Sequence, residues 1–276
     1  MRENPNNVVV PKAFLHGIHK IAILKNRDIF TGFAQNDMPE FLLFFIECLH
    51  SSICRPTNMT IKGKADNTTD DLAIQCYAML KHIYSKEYSE IIDLFYGISV
   101  SRIMPLNSQN THSLKPESFF ILDLPIVGKS IYECLDAYVE NEVLEGENAW
   151  FNEKTKKKEA AHKNMVFWNF PKILVVVFKR FSANGQMKNG AFLQFPIENL
   201  NLSKYVVGYA PHSYVYDLFG ICNHLGGVSG GHYTAFGKSG CTWIHYNDTR
   251  VEEVPRPEMM VTPAAYCLFY RKKNKQ

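Results

Sequence analysis

The chain has 276 residues, 46% apolar and 21% charged, which is ordinary globular usage and excludes disorder, collagen and coiled coil as whole-chain readings. Thirty basic side chains against twenty-seven acidic ones leave a formal charge of +3, too near balance for a protein that lives by gripping nucleic acid. Apolar runs such as 41–46 and 173–178, six residues each, fall far short of the roughly 20 that a membrane helix needs, and the first seven residues lack the apolar stretch of a secretion signal.

No internal repeat is visible. A Pro-initiated segment, 11–18, leads into a stronger signal at 38–50, which is apolar almost all round and is therefore expected to be a helix buried on most of its surface. Asp37 is placed to cap it, Pro39 fits the first turn, and Glu40 lies three residues beyond the cap as in a capping box. The polar stretch 55–71 reads as a loop. A second amphipathic helix follows, with Leu72, Cys76, Met79, Leu80 and Ile83 on one face.

From Val100 the period changes. Residues 118–126 read as one strand ended near Pro125, and Ser130 opens a short helix with Glu133 completing a capping box and Ile131, Leu135, Tyr138 and Val139 on its apolar face. The basic run 154–158 reads as a solvated hairpin tip. Strands are expected at 172–181, 213–224, 232–237, 243–246 and 266–271. Helices first and strands after make an α+β fold.

The glycine run Gly226-Gly227-Val228-Ser229-Gly230-Gly231 invites a phosphate-binding reading, but the residues after it are aromatic and β-branched rather than the start of a helix, and no G-K-[ST] follows. What it supplies is a mobile loop in front of His232. If Ser239-Gly240 is a two-residue turn, opposed residues sum to 479 and His232 faces Asn247. A three-residue turn places Asp248 opposite instead, and both side chains are competent to orient an imidazole.

A nucleophilic site also needs a thiol or hydroxyl, ideally at a helix N-terminus. Cys48, Cys76 and Cys134 fall inside helices, Cys222 and Cys267 inside strands, and Cys241 in the turn at the far end of the hairpin from His232. Seven cysteines without a C-x-x-C pair suit reduced thiols in the cytoplasm or nucleus. They also offer no zinc set, since Cys222-x-His224 and His232 with His245 are weak pairs.

Three ordered motifs carry a family resemblance. Gly231-His232-Tyr233-Thr234-Ala235, Trp243-Ile244-His245-Tyr246-Asn247-Asp248 and Ala265-Tyr266-Cys267-Leu268-Phe269-Tyr270 resemble the histidine box of ubiquitin-specific proteases. Upstream, the strand ending in Lys179-Arg180-Phe181 resembles that family's K-R-F signature. The segment Gly32-Phe33-Ala34-Gln35-Asn36-Asp37-Met38-Pro39-Glu40-Phe41-Leu42 is similar to its Q-x-D-x-x-E-F-L element.

The resemblance implies a papain-like cysteine peptidase fold spanning 1–276. It would have a partial helical thumb over 1–95, β fingers and a connecting helix over 96–170, and an antiparallel β palm over 171–276. It implies thiol-dependent hydrolysis after the C-terminal glycine of ubiquitin, with His232 as general base, Asn247 orienting it and Asp248 as polar support. Asp37 and Glu40, with Gly231 and Tyr233, would meet ubiquitin's tail, and the 226–231 loop would block or admit it. Two departures shape the expectation. The family's G-N-T-C nucleophile lies upstream of the Q-x-D element, and none of the thirty-four residues before Gln35 is a cysteine. The chain is then either a fragment or a catalytically inactive ubiquitin-binding module. The family's finger C-x-x-C pairs are also missing, with Asn152-Glu153-Lys154-Thr155 at the later position. No zinc or other cofactor is expected, and packing is expected to hold the fingers. The implied partners are ubiquitin and ubiquitinated proteins, with neither nucleic acid nor membrane, and the chain is expected to be a monomer.

Overall fold

Pro11 opens helix α1 (Lys12–Leu24), its carbonyl accepting from the Leu15 N–H at 3.0 Å. This is the first element of a computed structural model that describes residues 11–32, 35–106, 113–182 and 184–274. The Phe33-Ala34 step of the Q-x-D element and the seven opening residues read for a secretion signal lie outside the described residues. The chain divides into two compact units, Met1–Ser52 and Ile53–Gln276. Of the helical segment expected over 1–95, the first two helices therefore fall in the small unit and the next two in the large one.

In the N-terminal unit, Ile18 and Ala22 lie one turn apart on α1 and pack with Phe30 and Phe44. Phe44 belongs to α2 (Met38–Ile53) and stacks on Phe30 at 4.8 Å, while Phe41 meets Phe30 edge-on at 5.7 Å. The expectation of near-complete burial is corrected: α2 buries Phe44 and Ile46 but leaves Leu43 and Leu49 exposed. A helix with one neighbour in its own unit covers one stripe, however apolar its other faces are.

The larger unit begins with α3 (Thr68–Glu87), whose first turn is capped by Asn67 Oδ1 accepting from the Asp70 N–H at 3.0 Å. The helix therefore starts inside the stretch read as loop. Leu72, Ala73 and Cys76 bury against Ile98, Val100, Val166 and Trp168. The short helix α4 (Glu90–Phe95) leads into β1 (Gly97–Pro105), which pairs with β2 (Ser113–Phe119). The strand expected at 118–126 is broken at buried Phe120. Its first two residues close β2, and β3 (Ile121–Leu124) enters a different sheet.

Helix α5 (Ile131–Val139) forms as expected. The Glu133 N–H donates to Ser130 Oγ, and Glu133 Oε2 accepts from Ser130 Oγ and the Lys129 N–H at 2.8 Å each. It is followed by β4 (Glu142–Leu144), the hairpin of β5 (Trp150–Asn152) with β6 (Lys157–Glu159), and β7 (Ala161–Asn169). The basic run thus does form a hairpin tip, and the antiparallel finger sheet has the order β2-β1-β7-β4.

The last strands are β8 (Ile173–Phe178), β9 (Leu200–Asn201), β10 (Val215–Gly226), β11 (Gly231–Ser239), β12 (Thr242–Asn247), β13 (Arg250–Glu253) and β14 (Ala265–Lys272). With β3 they build the palm sheet, order β13-β12-β11-β10-β14-β8-β3, with β9 also on β10. β8 is an inner strand, one in from the edge, parallel to β3 and antiparallel to β14. Its unbroken apolar run is what a strand covered on both faces requires. Leu174, Val176 and Phe178 face the main core with Ile131 and Leu135 of α5 and Tyr216, Leu218 and Ile221 of β10. The sheet's far side, β11 to β13, holds the candidate site on its exposed margin.

Candidate functional site

The hairpin of β11 and β12 turns at Gly240-Cys241, since Ser239 opposes Thr242 and opposed residues sum to 481. Both expected sums are corrected, 479 by two residues and the alternative 480 by one. Gly240 has φ +61°, a left-handed value that glycine adopts freely, so it takes the first turn position rather than the second. A shift of two keeps every side chain on its own face. Extending the ladder brings Asn247 level with Thr234, diagonal to His232 and within reach of a long side chain.

The contact forms: His232 Nε2 lies 2.7 Å from Asn247 Oδ1. An amide oxygen only accepts, so Nε2 carries the proton and Nδ1 keeps its lone pair free to act as a base. Asp248 Oδ2 stands 3.8 Å from the same nitrogen, too far for a hydrogen bond. Of the two partners left open by the sequence, Asn247 is therefore the one bonded. Asp248 begins the next turn with φ +51°, and its side chain is three-quarters exposed. The imidazole itself is 45% exposed, on an open surface rather than in a sealed interior.

In front of His232 the glycine run is shorter and tighter than expected. β10 continues to Gly226, which pairs with Gly231, and the Gly227 N–H donates to Gly230 O at 3.0 Å. Only residues 227–230 remain as loop. Gly226 has φ +97°. Gly231 has no room for a side chain: a Cβ there would stand against the His224 ring and 2.6 Å from Leu225 O. His224 is buried beside Tyr233, ring centroids 4.9 Å apart, and meets Phe181 edge-on at 5.3 Å. Tyr233 is thus half-buried packing for the strand that presents His232.

Behind the hairpin lies an open cleft of about 680 Å³, lined by Lys188, Gly190, His224, Leu225, Gly226 and Thr262 among others. Arg180 of the K-R-F motif is 1% exposed. Its Nε donates to Ala265 O at 2.7 Å, and its Nη1 donates to Asn189 O and Ala191 O at 2.9 and 3.0 Å. Burial lowers its pKa. Lys188 Nζ donates to His224 O at 2.7 Å and Gly226 O at 3.0 Å. Sequence reasoning read Arg180 only as part of a motif and missed Lys188 altogether. The one available signal was a single cation in a stretch of Asn, Gly and Ser.

The thiols are placed as follows. Cys76 and Cys134 are fully buried, and burial pushes the Cys76 thiol up to about 12 and raises that of Cys134. Cys48 is also raised, chiefly by burial. Cys222 lies three positions from Leu225, the residue opposite His232, and so points to the other face of the sheet, where it opposes Cys267. Cys241 sits in the turn at the far end of β11 from His232, roughly 20 Å of strand away. Cys54, exposed just beyond α2, was not weighed from the sequence.

At the finger tip, Asn152 is buried and donates through Nδ2 to Glu159 Oε2 at 3.0 Å, while Thr155 Oγ1 donates to Glu159 Oε1 at 2.5 Å. An amide and a hydroxyl already bound to a carboxylate do not fit the thiolate set that structural zinc requires. Among the described residues no group of three or more His, Cys, Asp or Glu is placed to hold a metal. The finger strands β1 and β7 pack through Ile98, Val100, Val166 and Trp168, and at the tip these hydrogen bonds add to that packing. In the N-terminal unit, Asp37 is the residue before α2, its carbonyl accepting from the Phe41 N–H at 3.0 Å, and Glu40 lies in the first turn. Both are exposed. No described helix is long and apolar enough to cross a membrane.

The palm expected to be antiparallel is mixed, through the parallel β3–β8 pair. An α+β fold whose palm sheet displays a histidine–asparagine pair beside a glycine hairpin is the papain-like architecture of ubiquitin-specific proteases. The family model described as "Ubiquitin carboxyl-terminal hydrolase" matches residues 1–270, and the chain belongs to that family. It is 31% identical over 261 residues to ubiquitin carboxyl-terminal hydrolase Usp2 of Drosophila melanogaster, covering 92% of this chain and 27% of the relative. It is 32% identical over 269 residues to ubiquitin carboxyl-terminal hydrolase 21 of Homo sapiens, covering 88% and 46%. The chain thus spans less than half the length of these relatives. Among solved structures, a chain of the SAGA DUB module bound to monoubiquitin superposes with a TM-score of 0.69 at 26% identity, over 94% of this chain and 53% of that one.

Proposed function

We propose that this chain is the ubiquitin-binding and base-carrying part of a thiol-dependent deubiquitinase that cleaves after the C-terminal glycine of ubiquitin. The observation that carries the reading is the 2.7 Å bond from His232 to Asn247, which leaves Nδ1 of an exposed imidazole free to take a proton. In the reaction, His232 Nδ1 deprotonates a thiol, the thiolate attacks the carbonyl of ubiquitin's last glycine, and the imidazolium protonates the departing amine. Water then enters with His232 again as base, releasing ubiquitin and restoring the thiol. Asn247 holds the ring, and Asp248 stands beside it as polar support. Asp37 and Glu40, exposed at one helix start, are the carboxylates for the basic tail of ubiquitin. Gly231 and Tyr233 form the wall along which that tail passes. The chemistry needs a reduced thiol and suits the cytoplasm or nucleus.

The attacking thiol is supplied from outside these 276 residues. That part of the proposal rests on the placement of Cys76, Cys134, Cys222, Cys241 and Cys267, each buried, on the other face of the sheet, or at the far end of the hairpin. The same placement favours a second reading, a non-catalytic ubiquitin-binding module. Both readings expect the chain to bind ubiquitin, to weaken by about tenfold on Asp37→Lys with Glu40→Lys, and to escape labelling by a ubiquitin C-terminal electrophile. Labelling that disappears on changing one of the seven cysteines would overturn the thiol assignment, and absence of ubiquitin binding would overturn both readings. An in-frame G-N-x-C segment in the coding sequence before the Met1 codon selects the enzyme.

A further inference from the structure

We propose that Lys188 is a positioning residue: its ammonium clamps the glycine hairpin to the end of β8 and so fixes the residue opposite His232. The backbone of Lys188 is itself anchored. It bridges Phe181, the Ser182 N–H donates to Met187 O at 3.0 Å, and the Asn189 N–H donates to Arg180 O at 2.6 Å. From this base Nζ reaches across to β10 and takes two alternate carbonyls, His224 O at 2.7 Å and Gly226 O at 3.0 Å. Between them lies Leu225, the direct partner of His232.

The hairpin needs such a clamp because it has almost nothing else to hold it. Four of its six residues, 226–231, are glycine, with no side chains to pack, and the apolar groups of Leu225 beside it and Val228 within it are 45% and 41% exposed. A charge-assisted donor shared by two carbonyls is the strongest restraint available to bare backbone. The ammonium also lies 6.0 Å over the Phe181 ring, which in turn packs on His224. Burial and the neighbouring Arg180 charge lower the Lys188 pKa. Arg180 performs the matching task one step inward, tying Asn189, Ala191 and Ala265. Two cations therefore join β8, the 181–191 segment, β10 and β14 around the cleft, and Lys188 is the one that touches the hairpin. The ligand of this cleft is an extended peptide tail, a statement that rests on the proposed ubiquitin reading.

The test is hydrogen exchange by mass spectrometry on the full chain, comparing the parent with Lys188→Gln and Lys188→Arg. Loss of the charged donor is expected to speed exchange across 225–232 by about tenfold, while 131–139 and 173–178 exchange as in the parent. Arginine, which keeps the charge, is expected to restore most of the protection. Exchange over 225–232 within twofold of the parent would overturn the proposal, as would an acceleration spread equally over the core segments. A second measurement follows ubiquitin dissociation, expected to be several-fold faster for Lys188→Gln. An unchanged rate beside a loosened hairpin would overturn the role toward the tail. Failure of the parent to bind ubiquitin would sink the functional reading instead, with the exchange data still deciding the clamp.

Discussion

Replacing Gly231 by alanine adds one methyl group at the tightest point beside the candidate base. The new Cβ would meet His224 Cε1 and Leu225 O at 2.6 Å each, against ordinary carbon contacts of about 3.5 Å or more, so its neighbours must withdraw by about 1 Å. Leu225 O is backbone in a strand paired directly with His232 and cannot turn away. His224 is hemmed in by Tyr233, Phe181 and Tyr266 at centroid distances of 4.9, 5.3 and 6.2 Å. Overpacking of this kind costs about 1–3 kcal/mol. For a unit of this size each kilocalorie lowers Tm by about 2–4 °C, which gives an expected loss of about 2–12 °C. Differential scanning calorimetry measures that loss. Amide NMR shifts locate it, with the largest changes expected at 224–226 and 231–233 and the His232 side chain displaced from Asn247. A variant melting within 1 °C of the parent, with those resonances unmoved, would refute the claim that backbone and His224 together require glycine here.

Two further predictions concern regions away from the hairpin. Glu159→Ala removes the acceptor of both Asn152 Nδ2 and Thr155 Oγ1, and the loss of the buried amide's acceptor costs about 1–3 kcal/mol; exchange over 150–159 is expected to quicken, and a chelator is expected to leave Tm of the parent unchanged. Cys76, pushed up to about 12 by burial, stays protonated in the folded chain above the pH at which an unfolded thiol ionises. Its contribution to stability is complete below about pH 9 and falls as pH rises toward 12. At pH 8 iodoacetamide is accordingly expected to modify exposed Cys241 and Cys54 but neither Cys76 nor Cys134, as read by peptide mass spectrometry; prompt labelling of Cys76 would contradict its burial.

The sequence by itself determined the elements whose causes are local. Ser130 and Glu133 form their capping box, the unbroken apolar run of β8 becomes a buried inner strand, and the basic stretch becomes a hairpin tip, because each depends on residues within a few positions. It also named His232 and its two possible partners. Tertiary structure decided the rest. The turn settled on Gly240-Cys241, yet a slip of two residues preserved the face, so Asn247 still reached His232 from a diagonal position. Phe120 divided one apolar run between two sheets, because burial on either side of it was set by partners far away in the chain. The clamp of Lys188 left no pattern at all, since carbonyl acceptors 36 and 38 residues distant have no identity in a one-dimensional string. Periodicity and caps record the chemistry of neighbours, whereas register, side and long-range hydrogen bonds exist only once the sheet has closed.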